Sequence, residues 1–70
     1  MGGVIPVRLA VFDLSGQMIR RLMERSLAPG DYQVRWDGRD AEGRPVGSGV
    51  YICQLRTPRI LLSRRMTLLK

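Results

Sequence analysis

The acids of the stretch WDGRDAEG, which begins at Trp36, are the residues of this chain best suited to hold a metal ion. Asp37, Asp40 and Glu42 lie within six residues, and Ca²⁺ binds through carboxylate oxygens. An EF-hand loop requires acids or amides at its first, third and fifth positions and glycine at its sixth, and no register that starts at Asp37 or Asp40 meets this requirement. We therefore expect no metal site, and we expect turns in which the Asp side chains accept backbone hydrogen bonds.

The stretch GRPVGSG, which starts at Gly43, has the glycine content of a phosphate-binding loop. It lacks the Gly-Lys-Ser/Thr ending of such loops, and no helix is predicted after Gly49 to offer its N-terminus to an anion. Glycines at these positions are better suited to supply the positive φ angles of turns, with Pro45 ending one of them. We expect a connecting loop and no bound cofactor.

The sequence contains few of the residue types that carry out catalysis. The chain has no histidine, and Cys53 is its one cysteine. These two facts remove the commonest general base, the His-dependent triads and any disulfide within the chain. Cys53 alternates with Tyr51 and Leu55 in a predicted strand, which is the position of a small buried apolar residue. We expect that the protein is not an enzyme.

Five segments with strand character, separated by turn signals, predict the elements that position these residues. They are VRLAVFD from Val7, QMIRRLMERS from Gln17, DYQVRW from Asp31, GVYICQLRT from Gly49 and ILLSRRMTLLK from Ile60. The alternation is clearest in DYQVRW, whereas QMIRRLMERS also has helical spacing and is assigned to a strand because turns bracket it. Five strands without a helix predict an antiparallel β-sandwich or a small barrel.

The charge of the chain is concentrated at its C-terminal end. The 70 residues allow one small domain with a thin core, and the net charge is +6. No acid follows Tyr51, and this part holds five positive charges: Arg56, Arg59, Arg64, Arg65 and Lys70. A basic end of this kind suits a nucleic-acid partner, although it has no further aromatic residue for base stacking. No apolar run approaches the roughly 20 residues of a membrane helix, so we expect no membrane insertion.

Trp36 and Tyr51 stand at the two ends of the loop that joins the third and fourth predicted strands. An exposed pair of aromatics would be a platform for a ligand, whereas a buried pair would belong to the core. Because aromatic side chains at alternating strand positions dominate burial in small domains, we expect both residues to be in the core.

Three stretches carry a family resemblance: VRLAVFDLSGQMIRRL, APGDYQVRWDGRDAEGRPVGSGVYICQL and the ending SRRMTLLK. Their order resembles the immunoglobulin-like domain shared by flagellar hook-capping proteins and the C-terminal sorting domains of type IX secretion cargo. The resemblance covers Val7 to Lys70 and implies an Ig-like sandwich in which WDGRDAEGRPVGSGVY is the corner between two core strands. The signature residues of this corner are Trp36, Asp37, Gly38, Gly43, Pro45, Gly49 and Tyr51.

The ending RRMTLLK is similar to the sorting branch of that family. This similarity implies a non-catalytic module at the end of a secreted or cell-surface bacterial protein, recognised by the outer-membrane secretion machinery. Arg64, Arg65 and Lys70 are then the expected partner-binding residues. Two alternatives stay open, a hook-cap-like assembly domain and a small basic β-barrel that binds nucleic acid.

Members of this family usually carry one or two further strands before the equivalent of Val7, and here only residues 1–6 precede it. We therefore expect residues 1–6 to be a cloning scar or a linker remnant and residues 7–70 to form the domain. Loss of those strands would leave an open sheet edge and an uncovered apolar face. A second copy can supply both a strand and an apolar face, so we expect self-association.

Overall fold

The computed structural model describes residues 3–69, and its strands form one antiparallel sheet. The order in the sheet is β2-β1-β3-β4, with β1 (Ile5–Phe12), β2 (Met18–Leu27), β3 (Gly49–Arg56) and β4 (Leu61–Leu68). No helix occurs between residues 3 and 69. The prediction of an all-β antiparallel fold is confirmed, with four paired strands in place of the five expected.

β1 and β2 form a hairpin because Asp13 organises the turn between them. Its Oδ1 atom accepts hydrogen bonds from the backbone N–H groups of Ser15 and Gln17, at 3.0 and 2.9 Å, and from the Ser15 hydroxyl at 2.6 Å. The Ser15 hydroxyl, followed by the Gln17 N–H, lowers the pKa of Asp13, so the turn holds an ionised carboxylate at neutral pH. The assignment of QMIRRLMERS to a strand is confirmed.

The segment DYQVRW, residues 31–36, forms no strand. A strand is held by hydrogen bonds to a neighbouring strand, and none of the four described strands pairs with this segment. Its alternation still has an effect, because Tyr32 and Val34 both line a cavity against Leu9 and Leu55 of the sheet. The segment therefore lies beside the sheet without joining it, and the prediction of a strand there is wrong.

One face of the sheet, called the inner face, carries most of the apolar side chains, and residues 28–48 lie across it. Its members include Val7, Leu9, Val11, Met23, Tyr51, Cys53, Leu55, Arg64, Met66 and Leu68. Among the described residues only Val11 and Ala10 are buried apolar residues, at 0% and 2% exposure. The core is therefore as thin as the length of the chain predicts.

The opposite face, called the outer face, is more polar. Its members include Arg8, Ala10, Phe12, Arg21, Glu24, Ile52, Gln54, Arg56, Ser63 and Arg65. All four arginines of this face are exposed to solvent. A sheet with one packed face and one solvated face is common in antiparallel proteins.

A bulge in β2 decides which arginine lies on which face. In β1, Leu9 pairs with Met23 of β2. The next residue, Ala10, pairs with Arg21, so Leu22 between the two β2 residues has no partner. Because of this extra residue, Arg21 lies on the outer face, whereas strict alternation from Met23 would place it on the inner face.

Candidate interaction surface

Trp36 and Tyr51 are in contact at the corner of the fold, where the chain enters β3. Their ring centroids are 5.2 Å apart and their planes make an angle of 71°, an edge-to-face arrangement. The Trp36 indole N–H donates to the Arg39 carbonyl at 2.9 Å, and the Tyr51 hydroxyl donates to the Gly47 carbonyl at 2.6 Å. Both rings are half-buried and both polar groups are satisfied within the loop, which is the arrangement of a structural pair.

Residues 38–46 form a small hairpin inside the loop, and its hydrogen bonds are local. The hairpin is closed by a bridge between Arg39 and Pro45. The Asp40 carboxylate accepts the backbone N–H groups two and four residues further on, at 2.9 and 3.0 Å. Gly43 has a φ of 82°, which a residue with a side chain rarely adopts. The loop is a connection built from turns, as the sequence indicates.

Hydrogen bonds to the Ile19 carbonyl and from the Arg20 guanidinium tie this loop to β2. Ile19 has no partner in the ladder with β1, and its carbonyl accepts the backbone N–H of Ala41 at 3.1 Å. The neighbouring Arg20 donates from Nη1 to the Asp37 carboxylate at 2.8 Å. An irregular edge strand thus offers both a free carbonyl and an inward guanidinium to the loop.

Gly38 lies beside the end of β4 in a left-handed backbone conformation. It is buried, its φ is 75°, and a Cβ atom at this position would lie 3.5 Å from Leu68 Cδ2. Positive φ is costly for residues other than glycine. The glycine after Trp36 and Asp37 is therefore required by its backbone conformation, since a Cβ there would make only ordinary van der Waals contact with Leu68.

The carboxylates of the loop are engaged in holding its shape. Desolvation is the largest single influence on Asp37 and acts to raise its pKa, but the Arg39 N–H and the Arg20 guanidinium together outweigh it and lower the pKa. The Arg44 N–H is the largest influence on Asp40 and lowers its pKa. Both groups are therefore ionised at neutral pH.

Reactive groups are few in the described part of the chain. Between residues 3 and 69, no three His, Cys, Asp or Glu side chains lie close enough together to hold a metal ion. Burial raises the pKa of the half-buried Cys53 thiol, and a protonated thiol is a poor nucleophile. The absence of a metal site and of catalysis stays a prediction from the sequence.

The outer face gathers arginines that lie far apart in the sequence. Glu24 accepts from Arg8 at 3.1 Å and from Arg21 at 2.8 Å. Arg56 lies directly opposite Arg8 in the ladder between β1 and β3, and no ion pair within residues 3–69 involves it. Arg8, Glu24 and Arg56, but not Arg21, line a shallow cleft of about 350 Å³ at one end of the sheet, together with Arg25.

The predicted partner-binding residues do not share one surface. Arg64 pairs with Cys53 and lies on the inner face, whereas Arg65 pairs with Ile52 and lies on the outer face. Lys70 lies outside the described residues. Both arginines are exposed in β4, which is an edge strand of the sheet.

Sequence reasoning did not single out Arg8 or Arg21 of the outer face, and it named Arg56 only as part of the basic C-terminal end. Alternation within β1 and β3 separates polar from apolar positions, but it does not show that Arg8 and Arg56 are neighbours across two strands. Only the ladder register contains that information. The direct sequence signal for a basic sheet is composition: the four strands hold seven arginines and one acid, Glu24.

The inner face also has an apolar cavity that opens to solvent. It measures about 460 Å³, and Leu9, Met23, Tyr32, Val34 and Leu55 are among its lining residues. Tyr32 and Val34 are exposed at 50% and 38%.

No helix in the described part of the chain has the length and apolar character needed to cross a membrane.

Comparison with known proteins gives one family. The family model described as the FlgD Ig-like domain, from flagellar hook-capping proteins, matches residues 3–57. This match includes β1, β2, the corner and β3, and it ends before β4 begins at Leu61. No curated protein and no solved structure matches the chain. None of these comparisons supports the sorting branch.

Proposed function

We propose, because this chain belongs to the FlgD Ig-like domain family, that it is a non-catalytic module that binds other protein subunits during assembly of a hook-cap-like structure. The family match over residues 3–57 is the observation that carries this proposal. The chemistry of the chain agrees with it, since a histidine-free domain with one half-buried cysteine is better equipped for binding than for catalysis.

The division of labour within the domain also supports a binding role. The acidic and aromatic side chains of the loop at the corner form hydrogen bonds, an ion pair and a ring contact with the loop, β2 and Tyr51. The outer face, in contrast, keeps its arginines exposed. Two of them, Arg56 and Arg65, have no ion pair within residues 3–69, and unpaired charges of this kind steer association and select partners. The surface that we assign to assembly is therefore the sheet and not the loop.

The expected location of the module follows from the same proposal. A hook cap works at the tip of a growing extracellular structure, so the module acts outside the cell as part of an exported assembly. The sorting interpretation, in which outer-membrane secretion machinery reads the basic end, is the competing outcome of the experiment below. The nucleic-acid interpretation is the third outcome.

Site-specific photo-crosslinking in the native host separates these outcomes. A photoreactive amino acid replaces Arg8 or Arg65 on the outer face, and a third variant carries it at Glu42, an exposed residue of the loop. Mass spectrometry then identifies the crosslinked molecules. The Glu42 variant is the control, because its photoreactive group is exposed to solvent but does not lie on the basic outer face.

Crosslinks from positions 8 and 65 to subunits of the flagellar hook, absent from position 42, are the expected result. Crosslinks to outer-membrane secretion components would contradict the assembly role and favour sorting. Crosslinks to nucleic acid would contradict both protein-binding functions.

A further inference from the structure

We propose that the free edge of β4 binds an extended acidic segment of a partner protein by strand addition. This inference rests on the proposed function, because it names the chemistry of the partner that the assembly module recognises. It concerns a part of the chain that the family match leaves out, since the matched residues end at position 57 and β4 is Leu61–Leu68.

The β4 strand has the properties of a template for another strand. It is last in the sheet order and pairs with β3 over its whole length of eight residues. The N–H and C=O groups on its other side have no strand beside them among the described residues. Its first five residues are exposed in succession, and Leu61 and Leu62 are exposed at 54% and 52%. Long exposed edges of this kind pair with extended segments of other chains.

Charge complementarity identifies the partner as acidic. Arg64 and Arg65 occupy the centre of β4, and neither guanidinium has a hydrogen-bond or ion-pair partner within residues 3–69. The part of the chain after Tyr51 contains no acid that could neutralise them. Arginine guanidinium groups bind carboxylates in a bidentate geometry, so unpaired arginines on a strand edge suit a carboxylate-bearing strand.

The register of β4 sets the pattern of the segment that fits. Arg64 points to the inner face and Arg65 to the outer face, so an added strand meets them with two adjacent residues on opposite faces. Directly opposite side chains in an antiparallel pair are about 5 Å apart at Cβ, within reach of a glutamate. Leu62 and Met66 flank Arg64 on the inner face and suit apolar residues. The fitting segment has two adjacent acids between apolar residues.

A second copy of this chain is a poor occupant of the same edge. Two-fold antiparallel pairing of β4 with its own copy keeps the inner faces on one side, so pairing centred on the strand would place Arg64 opposite Arg64 or Arg65 opposite Arg65. Like charges directly opposite each other destabilise a strand pair. The self-association predicted from the sequence stays a prediction, and the β4 edge is not its favoured route.

Single-stranded nucleic acid is also a poor occupant. Proteins that bind it combine basic groups with exposed aromatic rings on which bases stack. No aromatic residue follows Tyr51, so β4 contains none. Backbone hydrogen bonding along the edge also favours a polypeptide, which supplies both donors and acceptors at the spacing of a strand.

Edge arginines have a second use, because charged side chains protect an edge from unwanted pairing. In that case the edge would bind no strand, acidic or neutral. A binding measurement therefore uses three labelled probes. Two are eight-residue valine–threonine peptides, one with two adjacent glutamates at its centre and one with two glutamines there. The third is an oligothymidine of eight nucleotides. Fluorescence anisotropy against the whole chain at physiological salt gives the affinities.

The variants remove arginine charge from two different places. Arg64→Gln/Arg65→Gln removes both edge guanidinium groups, and Arg59→Gln removes an exposed arginine from the turn before β4. We expect the glutamate peptide to bind roughly tenfold more tightly than the glutamine peptide, since two exposed charge pairs together contribute about that factor. The double variant should lose this preference, and Arg59→Gln should keep it.

Hydrogen exchange provides the readout of geometry. An added strand protects the outward N–H groups of β4 from exchange, whereas a peptide held by charge alone does not. Equal affinity for the glutamate and glutamine peptides, unchanged affinity in the double variant, binding of oligothymidine alone, or no protection of β4 would each overturn the proposal. Hook-subunit crosslinks combined with any of these results would leave the assembly function standing and remove only the strand-addition proposal.

Discussion

The loop at residues 37–48 and the outer face of the sheet both carry charges, and they use them in opposite ways. In the loop, Asp37 and Asp40 accept backbone hydrogen bonds, and Asp37 also holds Arg20 of β2. On the outer face, Arg56 and Arg65 have no ion-pair partner among residues 3–69. Charge in the loop maintains the fold, and charge on the sheet is available to a partner.

The backbone explains this difference. Strand residues satisfy their N–H and C=O groups in the ladder, so their polar side chains are free. A short loop rich in glycine and proline has few ladder bonds, and its backbone groups need side-chain acceptors. Mutations in the loop should therefore change stability, and mutations on the outer face should change binding.

The largest expected effect is loss of the indole at the corner. Trp36→Ala removes the contact with Tyr51 and the hydrogen bond to the Arg39 carbonyl. We expect a loss of roughly 3 kcal/mol in the free energy of unfolding, which approaches the whole stability of a domain this small. Circular dichroism during thermal unfolding should show little folded protein at room temperature.

Trp36→Phe is the matched control, because it keeps an aromatic ring and removes the N–H donor. Its cost should be near 1 kcal/mol, the contribution of one hydrogen bond. If Trp36→Ala melts at the same temperature as the wild type, the contacts of Trp36 at the corner are not needed for the fold.

Gly38→Ala should have an intermediate effect on stability. The φ of 75° is unfavourable for alanine, whereas the new Cβ would make only an ordinary van der Waals contact with Leu68. We expect a cost of about 1–2 kcal/mol, measured as a lower urea midpoint. Gly47→Ala is the control, since Gly47 has no positive φ and no atom near the position of a Cβ. Equal urea midpoints for the two variants would contradict a special role for Gly38.

Acid should weaken the loop, because it protonates the carboxylates that accept its backbone hydrogen bonds. The pKa values of Asp37 and Asp40 lie below their ordinary value of 3.8, so their contribution to stability is complete above that value and is lost as the pH falls through the lowered pKa. Thermal unfolding followed between pH 7 and pH 2 should show the decline below about pH 4. A variant with Asn at both positions should show a smaller decline, and an unchanged pH profile would contradict the assignment.

The smallest expected effect is a slight gain in stability on the outer face. Arg56 lies opposite Arg8, and like charges opposite each other weaken a strand pair by a few tenths of a kcal/mol. Arg56→Gln should therefore raise the urea midpoint slightly at low salt, and the gain should shrink as salt screens the pair. Arg59→Gln, in the turn before β4, should leave the midpoint unchanged. A loss of stability in Arg56→Gln would show that this arginine has a structural role.

Most of the strands could be predicted from the sequence because alternation and turn chemistry are local. Asp13 and its turn fix the first hairpin, and the alternation of β3 places Tyr51, Cys53 and Leu55 together on the inner face. The segment 31–36 shows the limit of this signal. Alternation predicts which side chains face inward, but a strand also needs a neighbour, and nothing in DYQVRW reveals that none is paired with it.

The basic outer face could not be predicted from local patterns. Its formation depends on the register between β1 and β3, which brings Arg8 and Arg56 together, and on the bulge at Leu22, which turns Arg21 outward. A one-residue change in register moves a side chain to the other face. The sequence therefore indicates that the strands are basic, but it does not show where their charges meet.

The most direct test of the division between loop and sheet compares two double variants in one urea titration at physiological salt and pH 7. Asp37→Asn/Asp40→Asn changes two charges in the loop, and Arg64→Gln/Arg65→Gln changes two charges on β4. We expect the first pair to lower the unfolding midpoint clearly and the second to leave the free energy of unfolding within about 0.5 kcal/mol of the wild type. Equal losses in both, or a larger loss in the arginine pair, would contradict the claim that the loop uses its charges for the fold while the sheet keeps its charges for a partner.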